Sequence, residues 1–268
     1  MLGALRSHGW HTFETKLTPP CQARKVASTV VRPMPGHPRL RIEVAIVAWV
    51  LAVLASFVIV IVVLAVSGQK STAAGVAPPW LTIVSASAFW VPAIVCLVYI
   101  SDHDGTSHFR DDFTFRFRAV DLLGVPIGVL CQLVLIEVLY LPLQKWFPAS
   151  FSKDHVEKPA RDLLDQAKGG WLVAIVLVVC VGAPIVEELF YRGLIFRALE
   201  GRLAAPLAIF ISALWFGAAH LEWIQLLGLF AFGVVLAACA HSTRRLGMGV
   251  FAHMAFNATS VALLLSKR

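Results

Sequence analysis

The sequence predicts an all-α protein, a multi-pass transmembrane bundle of about seven spans with a polar intramembrane site in its C-terminal half. Its 268 residues are 58% hydrophobic and 15% charged, and the mean hydropathy is +0.77. This composition lies outside the range of ordinary soluble domains. Apolar segments long enough to cross a hydrocarbon core of about 30 Å recur along the chain. Strongly polar side chains collect within such segments in the last third of the sequence.

The predicted spans follow from the apolar runs in chain order. Each run is too long, or too far inside the chain, to be a cleaved signal peptide. The runs are residues 44–66, 80–100, 122–143, a segment from 171 onward, two segments within 203–240 that are interrupted near 220–223, and 248–265.

The first 40 residues differ from the rest of the chain. Residues 1–40 are polar, basic and proline-containing, without an amphipathic period, and this pattern is typical of a disordered tail. The membrane domain is then residues 41–268. A start at Met34 would leave that domain intact, so the sequence leaves open whether residues 1–33 belong to the mature protein.

The basic residues are distributed as expected for a membrane protein, and they do not indicate a nucleic-acid partner. The net charge is +7. With the N-terminus in the cytoplasm, fifteen Lys and Arg residues fall on the cytoplasmic side and eight on the outer side, a positive-inside bias. We therefore expect a cell membrane protein with a cytoplasmic N-terminus and the lipid bilayer as its first partner. Residues 144–168, polar and of mixed charge, are predicted to be the longest outer loop.

The stretch VEELFYRG, residues 186–193, places charges at the end of an uncharged run. A charged side chain at membrane depth costs roughly 2.5 to 3.5 kcal/mol on insertion scales, so it is rarely there without a partner or a function. Successive helical residues point about 100° apart, so Glu187 and Glu188 face different neighbours. Glu188 and Arg192 are spaced i,i+4 in the order that favours an ion pair. Glu187 shares its face with Tyr191 and has no basic partner on its own helix.

Three further polar residues lie deep in the last spans: His220, His253 and Asn257. His253 and Asn257 are one turn apart on a single helical face, so both can meet one ligand. Glu187 lies about fifteen residues before the turn near 201–206 and His220 about fifteen after it, which puts both roughly 20 to 25 Å from that turn. We therefore expect these side chains to meet at one depth.

This set of residues fits hydrolysis of an amide. A carboxylate in an apolar site is a better proton acceptor than one in water, so Glu187 is the candidate base that deprotonates a water. His220 would share or orient that water, while His253 and Asn257 would donate hydrogen bonds to the oxyanion. In the alternative mechanism, Glu187, His220 and His253 would be zinc ligands. The zinc-protease motif HExxH, the serine motif GxSxG and the aspartyl motif GxGD are absent from the sequence, so we expect no cofactor.

Three motifs in order carry a resemblance: EELFYR (187–192), FGAAH (216–220) and HMAFN (253–257). They resemble the EExxxR, FxxxH and HxxxN motifs of the CAAX-protease and bacteriocin-processing family, which includes the Ras-converting type II CAAX endopeptidases. The resemblance is strong over about 183–260, within a core of about 170–265. It implies an intramembrane endopeptidase of the glutamate type, once classed as a metalloprotease, that cleaves a membrane-associated peptide or protein.

By position, the resemblance implies that Glu187 activates water with His220 as its partner, and that His253 and Asn257 stabilise the oxyanion. The supporting residues would be Glu188, Arg192, Tyr191 and Phe216. The Ala- and Val-rich spans are similar to those of bacterial members, which indicates a bacterial plasma membrane. Because bacteria generally lack prenylated CAAX proteins, the substrate and its cleavage site stay open.

Two other function classes remain open. Some members of the family are thought to act without catalysis, in bacteriocin immunity or as partners of membrane proteins. Intramembrane Glu and His also serve as proton relays in transporters, although the repeated halves typical of many transporters are not evident here. If the protein is a protease, we expect cleavage near the cytoplasmic leaflet. Glu137 is expected to be buried and bonded to a neighbouring helix, with a role in the substrate cavity as the alternative, and Glu222 to be a wetted or interfacial residue without a catalytic role. The oligomeric state is not predicted.

Overall fold

Helices account for nearly all of the regular structure. The computed structural model describes residues 40–68, 78–165 and 167–267, and over these ranges the chain forms helices and turns without strands. Six of the described helices are long and apolar enough to cross a membrane, as expected of a multi-pass bundle. They are α1 (Ile42–Ser67), α2 (Pro79–His103), α3 (Ala119–Trp146), α5 (Gly170–Glu200), α7 (Leu226–Thr243) and α8 (Gly247–Leu265). The predicted tail, apart from Leu40, lies outside the described residues.

Of the seven predicted spans, six correspond to these helices and the seventh to α6 (Ala205–Ala219), which is shorter. This helix is apolar but has 15 residues, which at 1.5 Å per residue gives about 22 Å, short of the roughly 30 Å hydrocarbon core. It begins with Pro206 in its first turn, where the missing N–H costs no hydrogen bond. It ends at His220, because Leu221 adopts the left-handed backbone conformation, with φ 57°.

The predicted loop 144–168 is largely helical. After a single turn, Pro148–Phe151, it forms α4 (Lys153–Asp165). The apolar residues Val156, Ala160, Leu163 and Leu164 recur at helical spacing, which gives α4 one apolar face. Polar composition alone had suggested a loop, whereas this period indicates an amphipathic helix.

Ion pairs between different helices define one end of the bundle, here called the arginine end. Arg202 contacts Glu43 at 2.7 Å, and Arg245 contacts Asp121 at 2.7 Å. The backbone N–H of Leu246 also donates to the carbonyl of Thr114 in the segment between α2 and α3. The N-terminus of α1 lies at this end.

The opposite end is here called the α4 end. Lys267, just after α8, contacts Glu157 of α4 at 2.7 Å. Gln225, in the turn between α6 and α7, donates to the carbonyl of Val156 at 3.0 Å. Glu137 was predicted to be buried, and this was wrong: its side chain is 48% exposed and contacts Lys153 at 3.2 Å. A glutamate is more stable beside a lysine at the surface than unpaired inside an apolar bundle.

The centre of the bundle is the second half of α5. All residues from 188 to 196 are buried, among them Phe190, Leu194 and Phe196. This stretch is π-helical, and a second π-helical stretch of α5 lies at residues 178–182. π-Helical turns inside α-helices are frequent at functional sites. In contrast, α1 exposes many large apolar side chains, as expected for a face that contacts lipid.

Helices α3 and α8 pack with their backbones very close together. A Cβ atom at Gly128 would overlap the carbonyl of Ala252, and one at Gly124 would overlap the carbonyl of Met248. Only glycine permits this approach, which is a common way for helices to associate in membranes. The contact fixes the segment of α8 that carries His253.

Candidate active site

The four residues predicted to be catalytic line a single cavity. Glu187 comes from α5, His220 from the end of α6, and His253 and Asn257 from α8. The cavity has a volume of about 440 Å³ and also contains Glu222 and the ring of Phe216 on its walls. Residues separated by up to 70 positions in the sequence are therefore brought to the same space.

Glu188 and Arg192 form a fully buried ion pair behind this cavity. The Arg192 Nη1 atom donates to Glu188 Oε1 at 2.9 Å, and neither side chain is exposed. The Nη2 atom donates to the carbonyl of Gly233 at 3.2 Å. The guanidinium carbon lies 4.3 Å from the centre of the Phe216 ring, at cation–π distance. These contacts offset part of the desolvation of the two charges, while Glu188 Oε2 and Arg192 Nε are buried without a hydrogen-bond partner among the described residues.

Glu187 is the glutamate that reaches the cavity. Its side chain is 21% exposed, whereas that of Glu188 is 0% exposed. The Nε2 atom of His253 lies 3.8 Å from Glu187 Oε2, too far for a direct hydrogen bond. A carboxylate in this position is open to water and to a ligand in the cavity.

His253 lies between the two glutamates. It lines the cavity together with Asn257. In addition, its Nδ1 lies 3.2 Å from Glu188 Oε1, a contact that the spacing of the motif did not predict. Because a carboxylate accepts hydrogen bonds, we assign the Nδ1 atom as the donor. The Nε2 atom then points towards Glu187, so His253 connects the buried ion pair to the cavity.

Asn257 is attached to α5. Its Nδ2 donates to the carbonyl of Val179 at 2.8 Å, within the π-helical stretch at residues 178–182. An amide nitrogen has two hydrogens, so this bond leaves one hydrogen for a ligand. The bond also holds α8 against α5 one turn beyond His253.

His220 is oriented by its own helix. Its Nδ1 lies 2.8 Å from the carbonyl of Phe216, and the two rings meet edge to face with their centres 4.8 Å apart. Because a carbonyl only accepts, Nδ1 is the donor and Nε2 is left to accept or share a proton. No described hydrogen bond joins His220 to Glu187, although both side chains line the cavity. A molecule between them would contact both.

Aromatic side chains support the site from behind. The Tyr191 ring packs edge to face on Phe216, with a centre-to-centre distance of 5.3 Å. Its hydroxyl accepts a hydrogen bond of 3.3 Å from Trp49 Nε1 on α1. Tyr191 is buried and does not line the cavity, so its contribution is to packing.

The zinc alternative does not fit this arrangement. Within the described ranges, no group of three His, Cys, Asp or Glu side chains is placed to hold a metal ion. The three residues considered as ligands are therefore not arranged as a preformed site, and His253 already uses one nitrogen on Glu188. We derive no catalytic step through zinc.

Sequence reasoning missed a large part of the cavity wall. Helix α4 contributes six lining residues, and the turn between α6 and α7 contributes Gln225. Tyr140 orders that turn: its hydroxyl donates to the carbonyl of Ile224 at 2.7 Å and accepts from the N–H of Gly228 at 3.3 Å. The apolar period of α4 was the available signal. Glu222 is exposed on the cavity wall, in agreement with a wetted residue.

Comparison with known proteins relates the segment that carries these residues to a protein family. Residues 169–259 match the family described as type II CAAX prenyl endopeptidase Rce1-like. The chain therefore carries an Rce1-like segment. All four cavity residues named above lie within the Rce1-like segment, whereas α1 to α4 precede it.

A curated relative matches about a third of the chain. The Bacillus subtilis (strain 168) protein named "Putative membrane peptidase YdiL" is 32% identical over 91 residues, which is 34% of this chain and 37% of that protein. The chain thus spans little more than a third of the length of this relative. No solved structure matches the chain significantly. Both matches relate part of the chain to proteins named as peptidases.

Proposed function

We propose that the protein is an intramembrane endopeptidase that hydrolyses a peptide bond in a membrane-associated protein or peptide. One observation carries this proposal. Of two adjacent glutamates, Glu188 is paired with a buried arginine, whereas Glu187 reaches a cavity that also contains His220, His253 and Asn257. A polar cavity of this kind inside an apolar bundle is costly unless it has a function.

In the proposed reaction, Glu187 takes a proton from a water molecule held between it and His220 Nε2. The resulting hydroxide attacks the carbonyl carbon, and the carbonyl oxygen becomes an oxyanion. The free amide hydrogen of Asn257 stabilises that charge, together with His253 as an imidazolium, whose Nδ1–H stays on Glu188 while its Nε2–H donates to the oxyanion. The C–N bond then breaks, and Glu187 returns its proton to the leaving amine. No covalent enzyme intermediate is formed.

The experiment that tests this proposal compares the same substitution at two glutamates of the protein. Membranes from cells that produce the wild-type protein, Glu187→Gln or Glu137→Gln are compared by mass spectrometry of their peptides. Glu137 is a suitable control because it lies in a span, pairs with Lys153 and does not line the cavity. We expect Glu187→Gln to reduce product at least about 100-fold, as for loss of a general base. Equal product from Glu187→Gln and wild type would support the non-enzymatic alternative.

We further propose that the protein lies in a bacterial plasma membrane with the arginine end in the cytoplasm, on the basis of the positive-inside bias. In that orientation, cleavage near the cytoplasmic leaflet does not agree with the position of the cavity. Its walls include α4, Glu222 and Leu264, all at the α4 end, so substrate would enter from the outer side.

Matched cysteine variants test this orientation. His108 and His155 are both exposed histidines, one at the arginine end and one on α4. In intact cells, a membrane-impermeant maleimide should label His155→Cys and should label His108→Cys only after permeabilisation. The reverse pattern would place the cavity mouth in the cytoplasm.

A further inference from the structure

Helix α4 forms a continuous part of the cavity wall and lies outside the Rce1-like segment, which begins at residue 169. The residues of α4 on the wall are Val156, Glu157, Pro159, Ala160, Leu163 and Leu164.

Contacts at several points hold α4 on the bundle. Lys267 and Gln225 attach it to the end of α8 and to the turn before α7, as described above. Leu164 is only 2% exposed and packs in a cluster with Ile175 of α5 and Val261 of α8. The wall is therefore part of the folded bundle, and its side chains have defined positions towards the cavity.

The cavity face of α4 offers no unpaired charge. Its single acidic residue on the wall, Glu157, accepts hydrogen bonds from Arg161 at 2.8 Å and from Lys267 at 2.7 Å. The other five wall residues are apolar. A charged substrate side chain would lose hydration here without gaining a partner, whereas an apolar one would gain from burial.

We propose that α4 determines the substrate specificity of the site by receiving an apolar side chain of the peptide next to the scissile bond. Val156 limits the size of that side chain. It lines the cavity at the position where Gln225 holds the backbone of α4, and it is not part of the buried Leu164 cluster. This inference rests on the endopeptidase function proposed above.

The test varies the size of one wall residue. Purified wild type, Val156→Phe, Val156→Ala and the control His155→Phe are incorporated in phosphatidylcholine/phosphatidylglycerol vesicles. They receive a mixture of synthetic apolar decapeptides that differ at one position, occupied by Gly, Ala, Leu, Phe, Asp or Lys. His155 is the neighbouring exposed residue and does not line the cavity.

Wild type should prefer Leu over Gly, Asp and Lys. Val156→Phe should shift the ratio of Ala to Phe cleavage about tenfold towards Ala, and Val156→Ala should shift it towards Phe, in the range that pocket size changes produce. His155→Phe should keep the wild-type ratio. Ratios that agree within twofold for all four proteins would overturn the proposal.

A crosslinking measurement separates this inference from the catalytic proposal. In the Glu187→Gln background, p-benzoylphenylalanine replaces Val156 or His155, and the Leu peptide is irradiated with each protein. An adduct from position 156 and not from 155 supports the proposal that the peptide contacts the α4 wall. It does so even if wild type cleaves no peptide and the endopeptidase proposal fails. No adduct from position 156, or equal adducts from both positions, would overturn it.

Discussion

Removal of the Arg192 guanidinium should strongly destabilise the protein. Arg192→Met keeps an unbranched apolar chain but deletes a fully buried charge that contacts Glu188 at 2.9 Å, the carbonyl of Gly233 at 3.2 Å and the Phe216 ring at 4.3 Å. Glu188 would remain buried with His253 as its one remaining side-chain hydrogen-bond partner among the described contacts. Breaking a buried ion pair by removing one partner costs about 3 to 5 kcal/mol, so we expect the free energy of unfolding to fall by that amount.

The double variant Glu188→Gln/Arg192→Met provides the control. It removes both charges, and replacing a buried ion pair by neutral groups is often close to neutral in stability. We expect it to recover about 2 kcal/mol relative to Arg192→Met. The assay is reversible unfolding in mixed micelles of increasing denaturing detergent, followed by circular dichroism. A loss below about 1 kcal/mol for Arg192→Met, or a double variant no more stable than the single one, would refute the buried-pair argument.

Three further predictions concern packing, pH and metal. Gly128→Leu should reduce the yield of folded protein severely, because its side chain would overlap the backbone at Ala252; wild-type yield would contradict the close α3–α8 contact. Burial raises the pKa of Glu157, but hydrogen bonds from Lys267 and Arg161 outweigh it, and the net pKa is below the ordinary value. Its stabilisation is therefore present above about pH 4.3 and lost as pH falls further, so the difference in melting temperature between wild type and Glu157→Gln should shrink on acidification. A chelator should leave the proposed cleavage unchanged, whereas loss of cleavage that zinc restores would contradict the metal-free mechanism.

Some features of the site could be predicted from local sequence because they depend on helix geometry. The i,i+4 spacing of Glu188 and Arg192 matches the contact in the structure, even though the helix there is π-helical. The count of residues from the turn near 201–206 to Glu187 and His220 was enough to predict that both side chains lie at one depth, and both line the cavity. Both arguments use only rise and rotation per residue.

Other features depend on contacts between distant segments. The orientation of His253 towards Glu188 follows from the close packing of α8 on α3 and α7. The spacing of residues within HMAFN carries no information about that packing. The length of α6 is set by a left-handed residue at Leu221, a conformation that leucine rarely adopts. Glu137 is exposed and contacts Lys153 of α4. To predict that contact, one would have to know that α4 is a helix.

The central claim is that two adjacent glutamates have separate functions, one in stability and one in chemistry. The most direct test is the cleavage rate of purified Glu187→Gln in vesicles, measured on the same preparation as its free energy of unfolding. We predict an unfolding free energy within about 0.5 kcal/mol of wild type, as for a partly exposed side chain, and cleavage reduced at least about 100-fold. Cleavage at the wild-type rate, or a loss of cleavage that is matched by a loss of stability, would contradict the assignment of Glu187 as the base.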